Sequence, residues 1–475
     1  MTSSRWSRPG PVSAGCWRAA SPRSSTSNAL SARFYPSVIC PPLQSVGLPA
    51  TVRGVMAPPG PIRVAHFTDT WVPRRDGVVT AVQTLTTAMD EIGHESLVVV
   101  PRHHDQDATD TLLRLPSLPC GIAQFRIGTW PRGRHVERVA RWQPNVIHVH
   151  TPGPIGLLGI FAARALTLPL VLTYHTDLCA YADAYRLPPH ILAGLLRCYA
   201  RRLGMPSPRK DHSWSPKVYR RTVVEAATKL LYGTADTVIV PTDAVLRRAG
   251  TSLTFPRLRI VPTGVTLPAT GPDARANFRA RYRIGPDEPT VLYVGRLNRE
   301  KGIDLLTPAF GEILAQLPTA RLVLVGSTHD DRWVDRLIAR SGIAERTVRT
   351  GQLPPSAVAE AYAAADVFAF PSRTDTQGLV VQEAALAGLP VVLADEALHR
   401  SGPLAGATLF GGHQPAEYAA ALTQPLTDHR LAWLAGEAGR ARARRNTPQA
   451  YAKRLAGVYG ESLIRRRHAE RMLIA

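Results

Sequence analysis

The stretch SRTDTQGLVVQEAALAGLP, residues 372–390, decides how the chain is read. It follows a short apolar run, residues 367–370, that Pro371 bounds, which is the pattern of a buried strand. Polar turn residues continue to Gly378. Residues 379–386 then read as a helix, because Val380, Val381, Ala384 and Ala385 form an apolar stripe that Gly388 and Pro390 end. Residues 391–394 give the next strand. Open α/β sheets bind ligands at the carboxyl ends of strands in such strand–loop–helix–strand units. The free N–H groups that open the helix suit a phosphate. Asp375 in the loop and Glu383 one turn into the helix point at the same crevice. Phosphate donors flanked by two hydroxyl acceptors describe a pocket for a nucleotide sugar.

The same stretch resembles the E-x7-E signature of the family-4 retaining glycosyltransferases, which have the GT-B fold. Asp375 stands in the first acidic place and Glu383 eight positions on. The resemblance implies that Asp375 binds hydroxyls of the donor sugar and Glu383 the ribose of the nucleotide. It also implies that the backbone of Thr376, Gln377, Gly378 and Leu379 faces the diphosphate and the sugar. Asp375 departs from the family pattern, because Asp is one methylene shorter than Glu and sets its carboxylate back by ~1.5 Å. That departure keeps a second expectation open, a sugar-nucleotide-binding protein without transfer activity.

Three further stretches match the family in the right order. In VGRLNREKGIDLL, residues 294–306, Arg296 and Lys301 lie in a loop between a strand and a helix. Two cations so placed can clamp a diphosphate and neutralise a departing one, and they match the family's diphosphate-binding R-x4-K. The strand at residues 170–174 ends at His175, where a side chain meets the crevice. The resemblance puts His175 beside the transferred sugar. The first strand, residues 62–67, leads into WVPRRDGVV and a helix from about residue 80 to 92, and Gly77 matches the glycine that lies under the donor phosphates. The resemblance also brings the backbone of Gly351, Gln352 and Leu353 to the nucleobase. His148 and His150 share one face of the strand at residues 145–149, and His148 reads as structural. The implied reaction is transfer with retention, in which Arg296 and Lys301 assist diphosphate departure, His175 and Asp375 position the sugar, and no protein nucleophile takes part. No cofactor is expected. Asp330-Asp331 is not the D-x-D of metal-dependent transferases and reads as a charged surface turn.

The implied fold class is α/β, a GT-B arrangement of two Rossmann-like parallel-sheet domains facing a central cleft. The expected divisions of the 475 residues are a disordered basic extension at 1–61, an acceptor-side domain at 62–268, a linker-like stretch at 266–285, a nucleotide-sugar-binding domain at 286–445 and a terminal helix in 446–475. That helix, at residues 449–463, carries Tyr451, Leu455, Val458 and Tyr459 on one face, and in relatives it folds back onto the first domain. Residues 1–61 read as a passive tail, as an upstream start with Met56 the real beginning, or as a targeting segment.

Net charge is +21, and removing the six arginines of the first 60 residues leaves +15. The excess is nearly all arginine, which suits either a codon bias or anionic partners. Residues 187–203 read either as a domain-surface helix or as a basic amphipathic helix lying on an anionic membrane. Residues 204–215 have loop composition, and the tail LIRRRHAERMLIA offers a second basic patch. No run reaches the ~18 apolar residues of a spanning helix. Five scattered cysteines show no metal spacing and suggest a reducing compartment. No GxGxxG follows the first strand and no GxxxxGK[ST] occurs, which argues against nicotinamide enzymes and P-loop NTPases. Specific nucleic-acid binding is not expected, since no basic–aromatic cluster occurs. The expected partners are a GDP- or UDP-linked mannose or glucose and a lipid, glycan or small-molecule acceptor. The expected location is cytoplasmic, with peripheral contact at the inner face of a membrane.

Overall fold

The computed structural model describes residues 60–74, 76–119, 126–129, 131–175, 189–203, 216–249, 255 and 257–474. The expectations for residues 1–59, for the 204–215 loop, and for the cysteines other than Cys198 lie outside the described residues. The first sheet holds β1 (Arg63–Phe67), β2 (Glu95–Pro101), β3 (Leu112–Leu115), β6 (Val146–Val149), β7 (Leu170–Thr173), β8 (Thr237–Val240) and β9 (Leu258–Ile260). Its order is β3-β2-β1-β6-β7-β8-β9, all parallel, and β4 (Ser117–Pro119) and β5 (Arg126–Gly128) form a separate antiparallel hairpin. Its helices are α1 (Gly77–Glu91), α2 (Gly133–Arg141), α3 (Pro154–Ala165), α4 (Pro189–Leu203), α5 (Pro216–Tyr232) and α6 (Asp243–Ala249).

The second sheet holds β10 (Thr290–Val294), β11 (Arg321–Val325), β12 (Thr347–Gly351), β13 (Val367–Phe370), β14 (Val391–Leu393) and β15 (Leu409–Phe410), in the parallel order β12-β11-β10-β13-β14-β15. Around it lie α7 (Ala274–Arg281), α8 (Ile303–Gln316), α9 (Asp331–Arg340), α10 (Pro355–Ala364), α11 (Leu379–Leu386), α12 (Glu396–Ser401), α13 (Pro415–Thr427) and α14 (His429–Ala443). A long helix, α15 (Pro448–Ile474), ends the chain. Two Rossmann-like sheets of this kind make the GT-B fold that the sequence implied.

Parallel strands covered by helices on both faces read as unbroken apolar runs, and every residue of β10, β13 and β14 is buried. In each sheet the strand order reverses once, between β1 and β6 and between β10 and β13. Those reversals open a crevice at the carboxyl ends of the strands. Side chains at 62, 64, 146, 171 and 239 share a core with Leu85 and Met89 of α1 and with Tyr451, Leu455, Val458 and Tyr459 of α15. The terminal helix therefore covers one face of the first sheet.

One expectation is corrected. The stretch at 266–285, expected as a linker, carries α7. Phe278 is buried in the core of the second domain. Arg279, 3% exposed, donates to Asp366 at 3.0 Å and to the carbonyls of Ala364 and Gly285. Arg279 thereby holds this helix onto the second sheet. Among the described residues no helix is long and apolar enough to cross a membrane.

Candidate active site

Because β10 pairs with β13, the loops after these two strands lie side by side at the switch point. Lys301 comes from the first loop and Asp375 from the second. Lys301 Nζ donates to Asp375 Oδ1 at 2.6 Å, with the two side chains only 16% and 20% exposed. Gly302 has φ +73°, and a Cβ there would stand 2.4 Å from the Pro371 carbonyl oxygen. Only glycine lets the two loops close to this distance. Burial works to raise the Asp375 pKa, but the Lys301 ammonium, bonds from Lys301 and Ser372, and the nearby Arg296 bring it below the ordinary carboxylate value. Arg296 reaches Glu300 at 3.6 Å, and its own carbonyl accepts from the Tyr293 hydroxyl at 2.8 Å.

Gly378, at φ +70°, turns the chain into α11, and no described side chain caps that helix. Its first N–H groups are thus directed at the crevice with the partial positive charge of a helix start. Glu383, one turn on, is half-buried and accepts from the Tyr362 hydroxyl at 2.9 Å. Burial pushes its carboxyl above the ordinary value, and the Tyr362 bond partly offsets this. Gly351 and Gln352 are exposed at the end of the edge strand β12, where the Gly351 carbonyl accepts from Gly326 N at 2.9 Å; Leu353 packs partly into the second core. This trio lies two strands away from β10, at the far end of the crevice from Asp375.

On the facing side, Gly77 opens α1, and a Cβ on it would meet Leu379 Cδ1 at 4.0 Å. Two residues singled out in sequence are thereby opposed across the cleft. The α1 cap is Asp76, which accepts from Val78 N at 3.1 Å and Val79 N at 3.0 Å and also from Thr70 and Arg74. Burial opposes its charge, yet Arg74 and these bonds hold its pKa below the ordinary value. His175 stands just past β7, where burial depresses its pKa to about 4 despite the nearby Asp76 charge.

The motif loop is fastened to three successive strand ends of the first sheet. Thr376 Oγ1 donates to the His175 carbonyl at 2.9 Å, and Thr242 Oγ1 donates to the Thr376 carbonyl at 2.7 Å. The Gln377 carboxamide accepts from Thr263 N and donates to the Thr263 carbonyl, both at 2.9 Å. The side chains of Thr376 and Gln377 are therefore committed to closing the cleft, which leaves only their backbone for a ligand.

Sequence reasoning missed Asp76, Tyr362, Thr242 and Thr263. A signal existed for Asp76 alone, as an Asp just ahead of a helix. The other three act through long-range pairing. Asp330 and Asp331 are surface groups, the first capping α9 through Trp333 N at 3.0 Å and the second paired with Arg349. The described residues hold two clusters able to ligate a metal, His66/His148/His150 and His103/His104/Asp105, and neither includes Arg296, Lys301 or Asp375.

Two family models match, one described as Glycosyltransferase Family 4 over residues 75–267 and one as Glycosyl transferases group 1 over residues 274–442. The first covers every strand of the first sheet except β1, and the second covers all of the second sheet. The chain belongs to glycosyltransferase family 4. This family-4 enzyme is 28% identical over 343 residues to an alpha-monoglucosyldiacylglycerol synthase of Streptococcus pneumoniae, covering 70% of each chain. It is 29% identical to a GDP-mannose-dependent alpha-mannosyltransferase of Mycobacterium tuberculosis, over 70% of this chain and 79% of the relative. Among solved structures, a sucrose-phosphate synthase from Thermosynechococcus elongatus superposes with a TM-score of 0.62 at 22% identity, covering 84% of this chain and 98% of that one. That likeness shows the shared GT-B fold.

Proposed function

We propose that this glycosyltransferase moves glucose or mannose from a UDP- or GDP-linked donor to a membrane lipid acceptor, with retention of anomeric configuration and without a metal. The observation that carries the reading is the meeting of the Lys301–Asp375 pair, the uncapped start of α11 and His175 around one cleft. An ammonium has three donors, so Lys301 can keep Asp375 and still bond a diphosphate. Arg296 and the α11 amides supply the remaining stabilisation of the leaving diphosphate. Asp375 and His175 hold the sugar, and the acceptor hydroxyl attacks from the face the diphosphate leaves. With two cations beside the diphosphate, charge neutralisation has a source other than a metal.

A lipid acceptor is supported by the relatives, two of which are named as monoglucosyldiacylglycerol synthases, and by the strongly basic chain. A cationic surface is drawn to anionic lipid by about 1 kcal/mol per basic residue close to it. Peripheral contact with the inner face of a membrane fits that balance.

The test is a thermal-shift series with UDP-glucose, GDP-mannose, UDP and GDP, followed by transfer to diacylglycerol-containing vesicles with and without EDTA. A bound donor at 100 times its dissociation constant adds about 2.7 kcal/mol of stability. Arg296→Ala should abolish that shift. No shift with any of the four ligands rejects the donor assignment, and turnover that vanishes in EDTA and returns with magnesium rejects the metal-free mechanism.

A further inference from the structure

His175 is one end of a row of histidines inside the first domain. His66 on β1 and His148 on β6 are register partners, and His150 lies two residues beyond His148 on the same face. His66 and His148 are fully buried and His150 is 2% exposed. His66 Nδ1 lies 3.0 Å from His150 Nε2, and His150 Nδ1 lies 3.0 Å from His175 Nε2. His148 stands beside the row. Its Nδ1 bonds the Tyr459 hydroxyl of α15 and its Nε2 the Thr173 hydroxyl, both at 2.7 Å, and its ring packs 3.9 Å from the His150 ring. The row is thereby held from one side by the terminal helix.

The proton positions in this row are coupled. A neutral imidazole has one N–H and one lone pair, and each imidazole–imidazole bond needs one hydrogen. Only two neutral arrangements satisfy both bonds, and they run in opposite directions. They differ at the inner end, where His66 Nε2 is buried with no hydrogen-bond partner. One arrangement leaves a buried N–H there without an acceptor; the other leaves a bare nitrogen. Orphaned buried N–H groups are rarer in proteins than under-satisfied acceptors. The favoured arrangement therefore has the His66 proton on Nδ1, donated to His150, and the His150 proton on Nδ1, donated to His175. His175 is left with its own proton on Nδ1, which has no hydrogen-bond partner among the described residues.

We propose that His66 and His150 are positioning residues that lock His175 as the Nδ1–H tautomer and occupy its remaining lone pair. His175 then meets the donor sugar as a neutral hydrogen-bond donor and has no lone pair with which to act as a base. Burial keeps the row neutral, with His66 depressed to about 3 and His175 to about 4. The inference deepens the glycosyl-transfer reading, and only its kinetic arm rests on that reading.

The experiment uses the full chain labelled with 15N-histidine. Long-range 1H–15N spectra at neutral pH report the tautomer of each ring, with His175 assigned through His175→Gln. The expected result is Nδ1–H for His66, His150 and His175. His66→Phe keeps a ring but removes the donor, so the His175 signal should move to, or mix with, the Nε2–H form. For UDP-glucose or GDP-mannose, whichever is turned over, kcat should fall tenfold or more while the donor KM stays within twofold. His66→Asn puts an amide nitrogen where Nδ1 stood and should restore both the tautomer and most of the rate. An Nε2–H His175 in the wild-type protein overturns the proposal, as does a His66→Phe protein that keeps the Nδ1–H form and full kcat. The wild-type spectrum decides even where His66→Phe does not fold. Absence of turnover with both donors would reject the transfer reading and leave the tautomer result standing by itself.

Discussion

If Asp375 holds the donor sugar, as proposed, Asp375→Asn should separate sugar binding from diphosphate binding. Asn keeps an acceptor oxygen near the sugar but loses the charge that Lys301 now holds at 2.6 Å. A hydrogen bond to a charged group contributes ~1.5–3 kcal/mol and a neutral one ~0.5–1.5. Losing the charge should cost about 1–3 kcal/mol in the transition state, or roughly 5- to 150-fold in kcat. The nucleoside diphosphate does not reach the sugar subsite, and Lys301 is released toward it. Its affinity should stay level or tighten. Donor turnover gives kcat, calorimetry with UDP or GDP gives the affinity, and a denaturation curve checks the fold. A normal kcat would remove Asp375 from the sugar site. Diphosphate affinity falling by the same factor as kcat would mean that Asp375 acts only by placing Lys301.

Three further outcomes are expected. Glu383→Ala should weaken nucleotide binding and activity together by about 1.5–3 kcal/mol, and unchanged KM and kcat on a verified donor would exclude it from the site. Gln377→Ala removes both bonds to Thr263 and strands a buried backbone pair, so it should cost about 1–3 kcal/mol and raise the donor KM; a lower Tm with an unchanged KM would make it structural glue. The buried histidines have lowered pKa values in the folded chain, so the unfolded chain binds more protons as pH drops below the ordinary histidine value of about 6.5. Stability should be complete above that pH and fall toward the folded values, with His66 alone withdrawing about 2.7 kcal/mol by about pH 4.5; urea curves that coincide at pH 7 and 4.5 would contradict neutral burial of the row.

The central strands were legible because burial on both faces makes them plain apolar runs, as in VLYV before Gly295 and VFAF before Pro371. The edge strand β3 was not, since three of its four residues are only partly buried and its LLRL is short. Helix α7 is not legible as part of the second domain, because its partners, Asp366 and the Ala364 carbonyl, lie far along the chain. Lys301 and Asp375 were each found, but their pairing is 74 residues long and exists only through the β10–β13 pairing. The same holds for the histidine row. The alternation of His148 and His150 is visible in the sequence, whereas their meeting with His66 and His175 depends on the register of three strands. Local chemistry could be read residue by residue, and what needed the fold was which of those residues share a site.

The most direct test of the account follows the released sugar itself. The protein is mixed with UDP-glucose or GDP-mannose, whichever stabilises it, and the anomeric protons are watched by 1H NMR as the sugar passes to a diacylglycerol acceptor or to water. Transfer with retention at this cleft requires the α-anomer to appear first, before any mutarotation, and requires Arg296→Ala and Lys301→Ala to suppress it. First appearance of the β-anomer, or tight donor binding with no sugar released to either acceptor, would contradict it.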